Sequence, residues 1–102
     1  MALIKLKEYK LNGGGWPNNA AISFRFVSTP IGPNLASSPV ASWNACPGSS
    51  QLNFSISGYL ILFVNGSIAG IASGFVTPTP KTNVQANINT GYGVAQVKYD
   101  VL

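Results

Sequence analysis

Apolar and polar residues alternate with a period of two along most of the chain, the pattern of half-buried β-strands. No window of eleven or more residues carries the i, i+3, i+4, i+7 apolar spacing of an amphipathic helix. The sequence therefore predicts an all-β protein, an antiparallel two-sheet sandwich or jelly-roll-like barrel of six or seven strands. Its length of 102 residues predicts a single domain over residues 1–102.

The alternation predicts individual strands, with breaker residues between them. A phase shift near Lys7 or Glu8 predicts a bulge in the first strand, which we interpret as an edge strand. Prolines and glycines over residues 29–50 predict a long irregular connection, with at most a short strand at residues 39–43. Besides the hairpin described next, the predicted strands cover residues 2–11, 20–28, 84–88 and 95–101.

The strongest local signal is the dipeptide Asn65-Gly66, which is typical of a two-residue hairpin turn because both positions take positive φ at low cost. Before the turn, the alternation of side chains between the two strand faces continues without a break from Leu52 to Val64, which predicts one long strand with a kink at Gly58. The turn fixes a register that pairs Val64 with Ser67, Phe63 with Ile68, Leu62 with Ala69, Ile61 with Gly70, Leu60 with Ile71 and Tyr59 with Ala72.

In that register the hairpin is apolar on both faces. One face is predicted to lie in the core, through Leu52, Phe54, Ile56, Leu60, Leu62 and Val64. The other face places large side chains over Gly and Ala of the partner strand, an apolar surface that monomers rarely expose. Either another segment of the chain or another molecule must cover it. We therefore predict an interface formed by Tyr59, Ile61, Phe63 and Ile68.

Composition adds a weakly charged surface. Charged residues make up 8% of the chain, against about 25% in ordinary domains, so Ser, Thr, Asn, Gly and Pro must form the surface. The net charge of +4 reflects the presence of only two acidic residues. Lys5 and Lys7 share a strand with Lys10, where they could contact phosphate or protect an edge strand from pairing. No arginine cluster accompanies them, so nucleic acid is not favoured.

Catalytic chemistry has few candidates in this sequence. Without histidine, the usual general base and the commonest transition-metal ligand are both absent. Glu8 and Asp100 are the only carboxylic side chains, and they are expected at the surface among lysines rather than paired across a cleft. The single cysteine, Cys46, is expected as a small buried residue. We predict no catalytic residue, no cofactor and no metal.

Three aromatic residues are predicted in loops, at Trp16, Trp43 and Tyr92. Exposed rings of this kind stack against sugars, which makes these residues candidates for ligand binding. Alternatively, the two indoles cover the open ends of the sandwich with their N–H groups bonded to loop carbonyls. The sequence leaves both interpretations open.

Together these features favour a non-catalytic structural or interaction protein. Its partner would be a second copy of itself, in a homo-oligomer, or a larger protein shell, as in a virion capsid-decoration, cement or fibre component. The alternative is a lectin-like carbohydrate-binding domain that uses the loop aromatics. Neither a signal peptide nor a membrane span is predicted, so the expected location is the virion after synthesis in the cytoplasm, or otherwise the cytoplasm.

Overall fold

A computed structural model describes residues 1–27, 29–36 and 42–102, with backbone alone for residues 32–36. These ranges form nine β-strands and no helix. The strands are β1 (Ala2–Asn12), β2 (Ala21–Phe26), β3 (Thr29–Ala36), β4 (Asn44–Ala45), β5 (Gln51–Phe54), β6 (Leu60–Val64), β7 (Ser67–Ile71), β8 (Lys81–Thr90) and β9 (Gly93–Val101).

The strands form two sheets in which every pairing is antiparallel. The five-stranded sheet has the order β4–β1–β9–β8, and β5 shares with β4 the outer side of β1. The four-stranded sheet has the order β3–β2–β6–β7. The prediction of an all-β protein with two antiparallel sheets is therefore confirmed.

One face of each sheet supplies the hydrophobic core between the sheets. From the five-stranded sheet the buried side chains include Ile4, Leu6, Tyr9, Leu11, Ile88, Ala95, Val97, Tyr99 and Val101. From the four-stranded sheet they include Ile22, Phe24, Phe26, Ile31, Leu60, Leu62 and Val64. The period-two alternation of the sequence thus identifies the core residues of both sheets.

The predicted long strand through residues 52–64 is wrong. Leu52 lies in β5, which pairs with β1, whereas Val64 lies in β6, which pairs with β2 in the other sheet. The intervening residues cross between the sheets, and Ile56, predicted in the core, is 80% exposed on this crossing. Gly58 makes the crossing possible, because a Cβ there would overlap Val27 and lie 2.8 Å from the Phe26 ring.

The interpretation of β1 as an edge strand is also wrong. β9 lies along one side of β1, while β5 and β4 pair with consecutive parts of the other side. The predicted bulge is confirmed between Leu6 and Glu8. Lys5 and Lys7 therefore do not protect an edge.

Residues 29–50 contain more regular structure than their breakers indicate. β3 runs through Pro30 and Pro33, and it pairs with β2 across an irregular register between Ile22 and Phe24. Proline is tolerated here because β3 is the edge of its sheet and needs N–H donors on one side alone. Of the predicted short strand at residues 39–43, residues 39–41 lie outside the described part, and β4 begins one residue after Trp43.

The hairpin at Asn65-Gly66 is confirmed, with Asn65 at a φ of 52° and Gly66 at 81°. The pairs Val64–Ser67 and Phe63–Ile68 are as predicted. Beyond them a bulge at Ala69 shifts the ladder by one residue, so the remaining predicted pairs are wrong: Leu62 faces Gly70, Ile61 faces Ile71, and the Ala72 N–H bonds to the Leu60 carbonyl.

A close contact between β7 and β8 closes one side of the sandwich. A Cβ on Gly70 would overlap the Asn89 carbonyl oxygen and lie 2.8 Å from Cγ2 of Ile88. The two sheets approach here at van der Waals distance because Gly70 has no side chain. This contact positions β7 relative to the five-stranded sheet.

Candidate functional site

The outer face of the four-stranded sheet carries the residues predicted as an interface. Phe63 and Ile68 are directly opposite each other on β6 and β7. The bulge at Ala69 turns Ile71 to this face, opposite Ile61, where it is 51% exposed. Ile68 is 60% exposed. The bulge therefore enlarges the apolar face, which the sequence pattern alone did not reveal.

Ile61 differs from its neighbours because the chain itself buries it, to 6% exposure. Arg25 of β2 lies opposite Ile61, and its guanidinium carbon is 4.3 Å from the centre of the Phe63 ring. This arrangement is a cation–π contact. A partner would consequently meet the residues around Ile61 rather than Ile61 itself.

Phe75 extends the face at the end of β6. A bridge between Gly58 and Val76 continues the pairing beyond β6 and brings Phe75 beside Tyr59, with ring centres 6.0 Å apart. Phe75 is 73% exposed, and the sequence reasoning missed it. We define the apolar patch as the buried Ile61 and the side chains around it, namely Tyr59, Phe63, Ile68, Ile71 and Phe75.

The loop aromatics fall into two separate places. Trp16 and Tyr92 meet at the β8–β9 turn, with ring centres 6.3 Å apart. Gly14 allows this meeting, because a Cβ there would overlap the Tyr92 carbonyl, and the Gly15 N–H bonds to the same oxygen at 3.1 Å. Trp16 packs against the core as the covering interpretation predicts, but its indole N–H has no partner among the described residues.

Trp43 lies on the outer face of the five-stranded sheet, not at an end of the sandwich. The β4–β1 ladder pairs Asn44 with Tyr9, so the preceding residue, Trp43, comes alongside Lys10. The Lys10 ammonium is 4.7 Å from the centre of the indole ring, and the Lys98 ammonium of β9 is 4.2 Å from it. For Trp43 the covering interpretation is therefore wrong, and the ring has two cations as neighbours.

Amide side chains continue this face beside Trp43. Asn12 Nδ2 donates to Gln96 Oε1 at 2.7 Å, and Gln96 Nε2 donates to Asn87 Oδ1 at 3.1 Å. The three residues lie on β1, β9 and β8, so the row crosses the sheet. These hydrogen bonds fix the orientation of the amides on this face.

The two carboxylates lie apart, each beside a lysine as the sequence predicts. Glu8 is 3.7 Å from the Lys98 ammonium, and Asp100 is 3.7 Å from that of Lys7. Asp100 also accepts the backbone N–H of Asn83 at 2.8 Å. Asp100 is partly buried in its pair, whereas the more exposed pair of Glu8 and Lys98 contributes little to stability, about 0–1 kcal/mol.

Cys46 is half-buried and packs against the core. Burial, with a smaller contribution from the Glu8 carboxylate, raises the pKa of its thiol from 9.0 to about 12. The thiolate is the reactive form of cysteine, so this environment suppresses the reactivity of Cys46 at neutral pH.

Burial also raises the pKa of Tyr99. Within the described ranges no three His, Cys, Asp or Glu side chains are grouped so as to hold a metal ion.

A cavity of about 310 Å³ opens at the end of the sandwich near the crossing from β5 to β6. Among the described residues its lining consists of Phe26, Val27, Thr29, Phe54, Ser55, Ile56 and Ser57, none of which is an acid or a base. The described lining therefore combines two aromatic rings and two aliphatic side chains with three hydroxyl groups.

The geometry describes a β-sandwich with one apolar and one polar outer face. Comparison with protein-family models, with curated proteins and with solved structures found no match. In the described part of the chain no helix has the length and apolar character needed to cross a membrane.

Proposed function

We propose that this protein is a non-catalytic structural protein that forms homo-oligomers through the apolar patch. One observation carries the proposal: Ile68 and Ile71 are more than half exposed on one sheet face, and Phe75, which is also more than half exposed, contacts Tyr59 beside them. Contiguous apolar surface of this kind marks sites of protein association in soluble proteins.

The exposed apolar area contributes a driving force for association. With side-chain areas on the order of 200 Å², the exposed fractions of these three residues amount to roughly 350 Å² per subunit. At about 25 cal/mol per Å², burying this area contributes roughly 9 kcal/mol per subunit, and twice that in a symmetric pair. Association costs about 4–15 kcal/mol, so burial of this patch is of the size needed to offset that cost.

The rim of the apolar patch supports the same proposal. Arg25 holds its guanidinium against the Phe63 ring, and no carboxylate partner of Arg25 is present among the described residues. Arginine and aromatic residues are enriched at protein interfaces. A neighbouring subunit would meet a fixed aromatic surface with an oriented cation at its edge.

We place this association in a virion, as a capsid-decoration, cement or fibre component that docks on itself or on a larger shell. The support is compositional: only 8% of residues are charged, and the chain has no histidine. A weakly charged surface limits the electrostatic repulsion between many closely spaced copies. The cytoplasm is the alternative location.

The test compares lysine substitutions inside and outside the apolar patch. Ile68→Lys and Phe75→Lys each place a charge in the proposed interface, and Ile56→Lys is the matched control at an exposed residue elsewhere. Mass-resolved chromatography is expected to show both patch variants at the 10.7 kDa of one chain and the control at the wild-type oligomer mass. Circular dichroism checks that all variants are folded. An unchanged oligomer mass in both patch variants would refute the proposal.

A further inference from the structure

The outer face of the five-stranded sheet combines an indole, two ammonium groups and a row of oriented amides. Trp43 contacts Lys10 and Lys98, and Gln96 lies next to Lys98 on the same face, directly opposite Lys10. Self-association through the opposite outer face of the sandwich uses none of these residues.

Lys10 carries an uncompensated charge next to Trp43. Lys98 has the Glu8 carboxylate 3.7 Å away, whereas Lys10 has no carboxylate partner among the described residues. Its neighbour is the indole face, which attracts a cation but does not neutralise it. The ammonium can therefore receive an anionic group of a ligand without first breaking an ion pair.

The amides supply the complementary polar groups. Asn12, Gln96 and Asn87 are joined by hydrogen bonds, so their orientations are set before a ligand arrives. Amides both donate and accept, as sugar hydroxyls do. An apolar ring with a few fixed polar groups is the usual composition of a binding surface for small ligands.

We propose that this face binds an acidic polysaccharide of low charge density, whose sugars carry carboxylates. In this assignment a sugar ring packs on Trp43, its carboxylate binds the ammonium of Lys10, and hydroxyls of the neighbouring sugar bond to Gln96 and Asn87. The site is built on the paired strands β4, β1, β9 and β8, so it accommodates an extended chain.

The charge pattern distinguishes this ligand from a nucleic acid strand. Single-stranded nucleic acid carries a charge on every nucleotide and binds in a continuous positive groove. Here Glu8 and Asp100 are interspersed among the lysines of the same face. They repel a dense polyanion, whereas a chain with a carboxylate on alternate sugars can avoid them.

Titration calorimetry with the wild-type protein tests the proposal. The probes are octasaccharides of hyaluronan and of unsulfated chondroitin, which both have a carboxylate on every second sugar, neutral dextran and a ten-nucleotide oligothymidylate. Binding is expected for the two carboxylated sugars, weakening as salt is raised. Tighter binding of the oligothymidylate or of dextran would overturn the assignment, as would the absence of binding to both carboxylated sugars at millimolar concentration.

Substitutions then locate the site. Lys10→Gln is expected to weaken binding at least tenfold, and Trp43→Leu, which keeps apolar bulk but removes the π face, by a similar factor. Glu8→Gln removes a repelling carboxylate and is expected to tighten binding about threefold. Lys81→Gln on β8 is the matched charge control, with affinity expected to stay within twofold of the wild type.

Two further outcomes contradict this location. Equal losses in Lys10→Gln and Lys81→Gln would show non-specific attraction by net charge. A loss in Tyr92→Ala without a loss in Trp43→Leu would move the sugar site to the Trp16–Tyr92 pair. Thermal unfolding of each variant confirms that affinity changes do not arise from misfolding, and an unchanged oligomer mass separates this test from that of self-association.

Discussion

The contact between β7 and β8 makes Gly70→Ala a sharp test of the packing. The new Cβ would overlap the Asn89 carbonyl oxygen and lie 2.8 Å from Cγ2 of Ile88, which is fully buried. Neither neighbour can swing away, because the first is backbone and the second is in the core. The β7–β8 contact must therefore open or strain.

Overpacking of this kind costs about 1–3 kcal/mol. Replacing Gly by Ala also lowers the conformational entropy of the unfolded chain, which stabilises the folded state by about 0.4–1 kcal/mol. We expect a net destabilisation of about 1.3 kcal/mol, which corresponds to a fall in Tm of roughly 6 °C for a domain of this size. The same change separates β7 from β8, so the exposed side chains of Ile68 and Ile71 lose their fixed position.

Urea unfolding followed by tryptophan fluorescence measures this effect, at one fixed protein concentration because association contributes to apparent stability. Gly74→Ala is the matched control: its Cβ would meet nothing within 4 Å, and its φ is not positive. We expect the control to equal or slightly exceed the wild type in stability. If Gly70→Ala proved as stable as Gly74→Ala, the reasoning about the closed edge would be refuted.

Two further predictions concern the turn and the thiol. Asn65 has a positive φ, and its side-chain oxygen accepts a hydrogen bond from the Ala21 N–H at 2.9 Å. We expect Asn65→Ala to lower the free energy of unfolding in urea by about 2 kcal/mol. Asn65→Gly should lower it by about half as much, because glycine adopts the turn conformation without strain. For Cys46 the folded pKa of about 12 exceeds the unfolded value, so the folded state keeps a proton that the unfolded chain releases. Stability should therefore fall as pH rises from about 9 toward 12, and less steeply in Cys46→Ala; parallel pH profiles of the two proteins would contradict this.

Local patterns in the sequence predict much of this fold, and tertiary pairing accounts for the rest. Alternation identified both inner faces, and Asn65-Gly66 identified the hairpin. The alternation of side chains between two faces could not show that residues 52–64 divide between two sheets, because a strand alternates in the same way whichever strand it pairs with. The bulge at Ala69 has no sequence signal of its own, although it decides which way Ile71 points.

The candidate sites were likewise predicted in part from local sequence patterns, while the rest depends on tertiary pairing. Tyr59, Phe63 and Ile68 lie on the predicted face because β6 and β7 form the predicted turn. Phe75 joins them through a bridge between Gly58 and Val76, a long-range pairing that no local pattern encodes. Trp43 was recognised as a candidate, but its lysine neighbours come from β1 and β9, which meet it only in the folded sheet.

The mass of the native wild-type protein in solution tests self-association most directly. The apolar patch, with Ile68, Ile71 and Phe75 more than half exposed, predicts a species of two or more chains at micromolar concentration, that is, a multiple of 10.7 kDa. Native mass spectrometry with sedimentation equilibrium measures it without labels or substitutions. A single 10.7 kDa species up to 100-fold higher concentration would contradict the account.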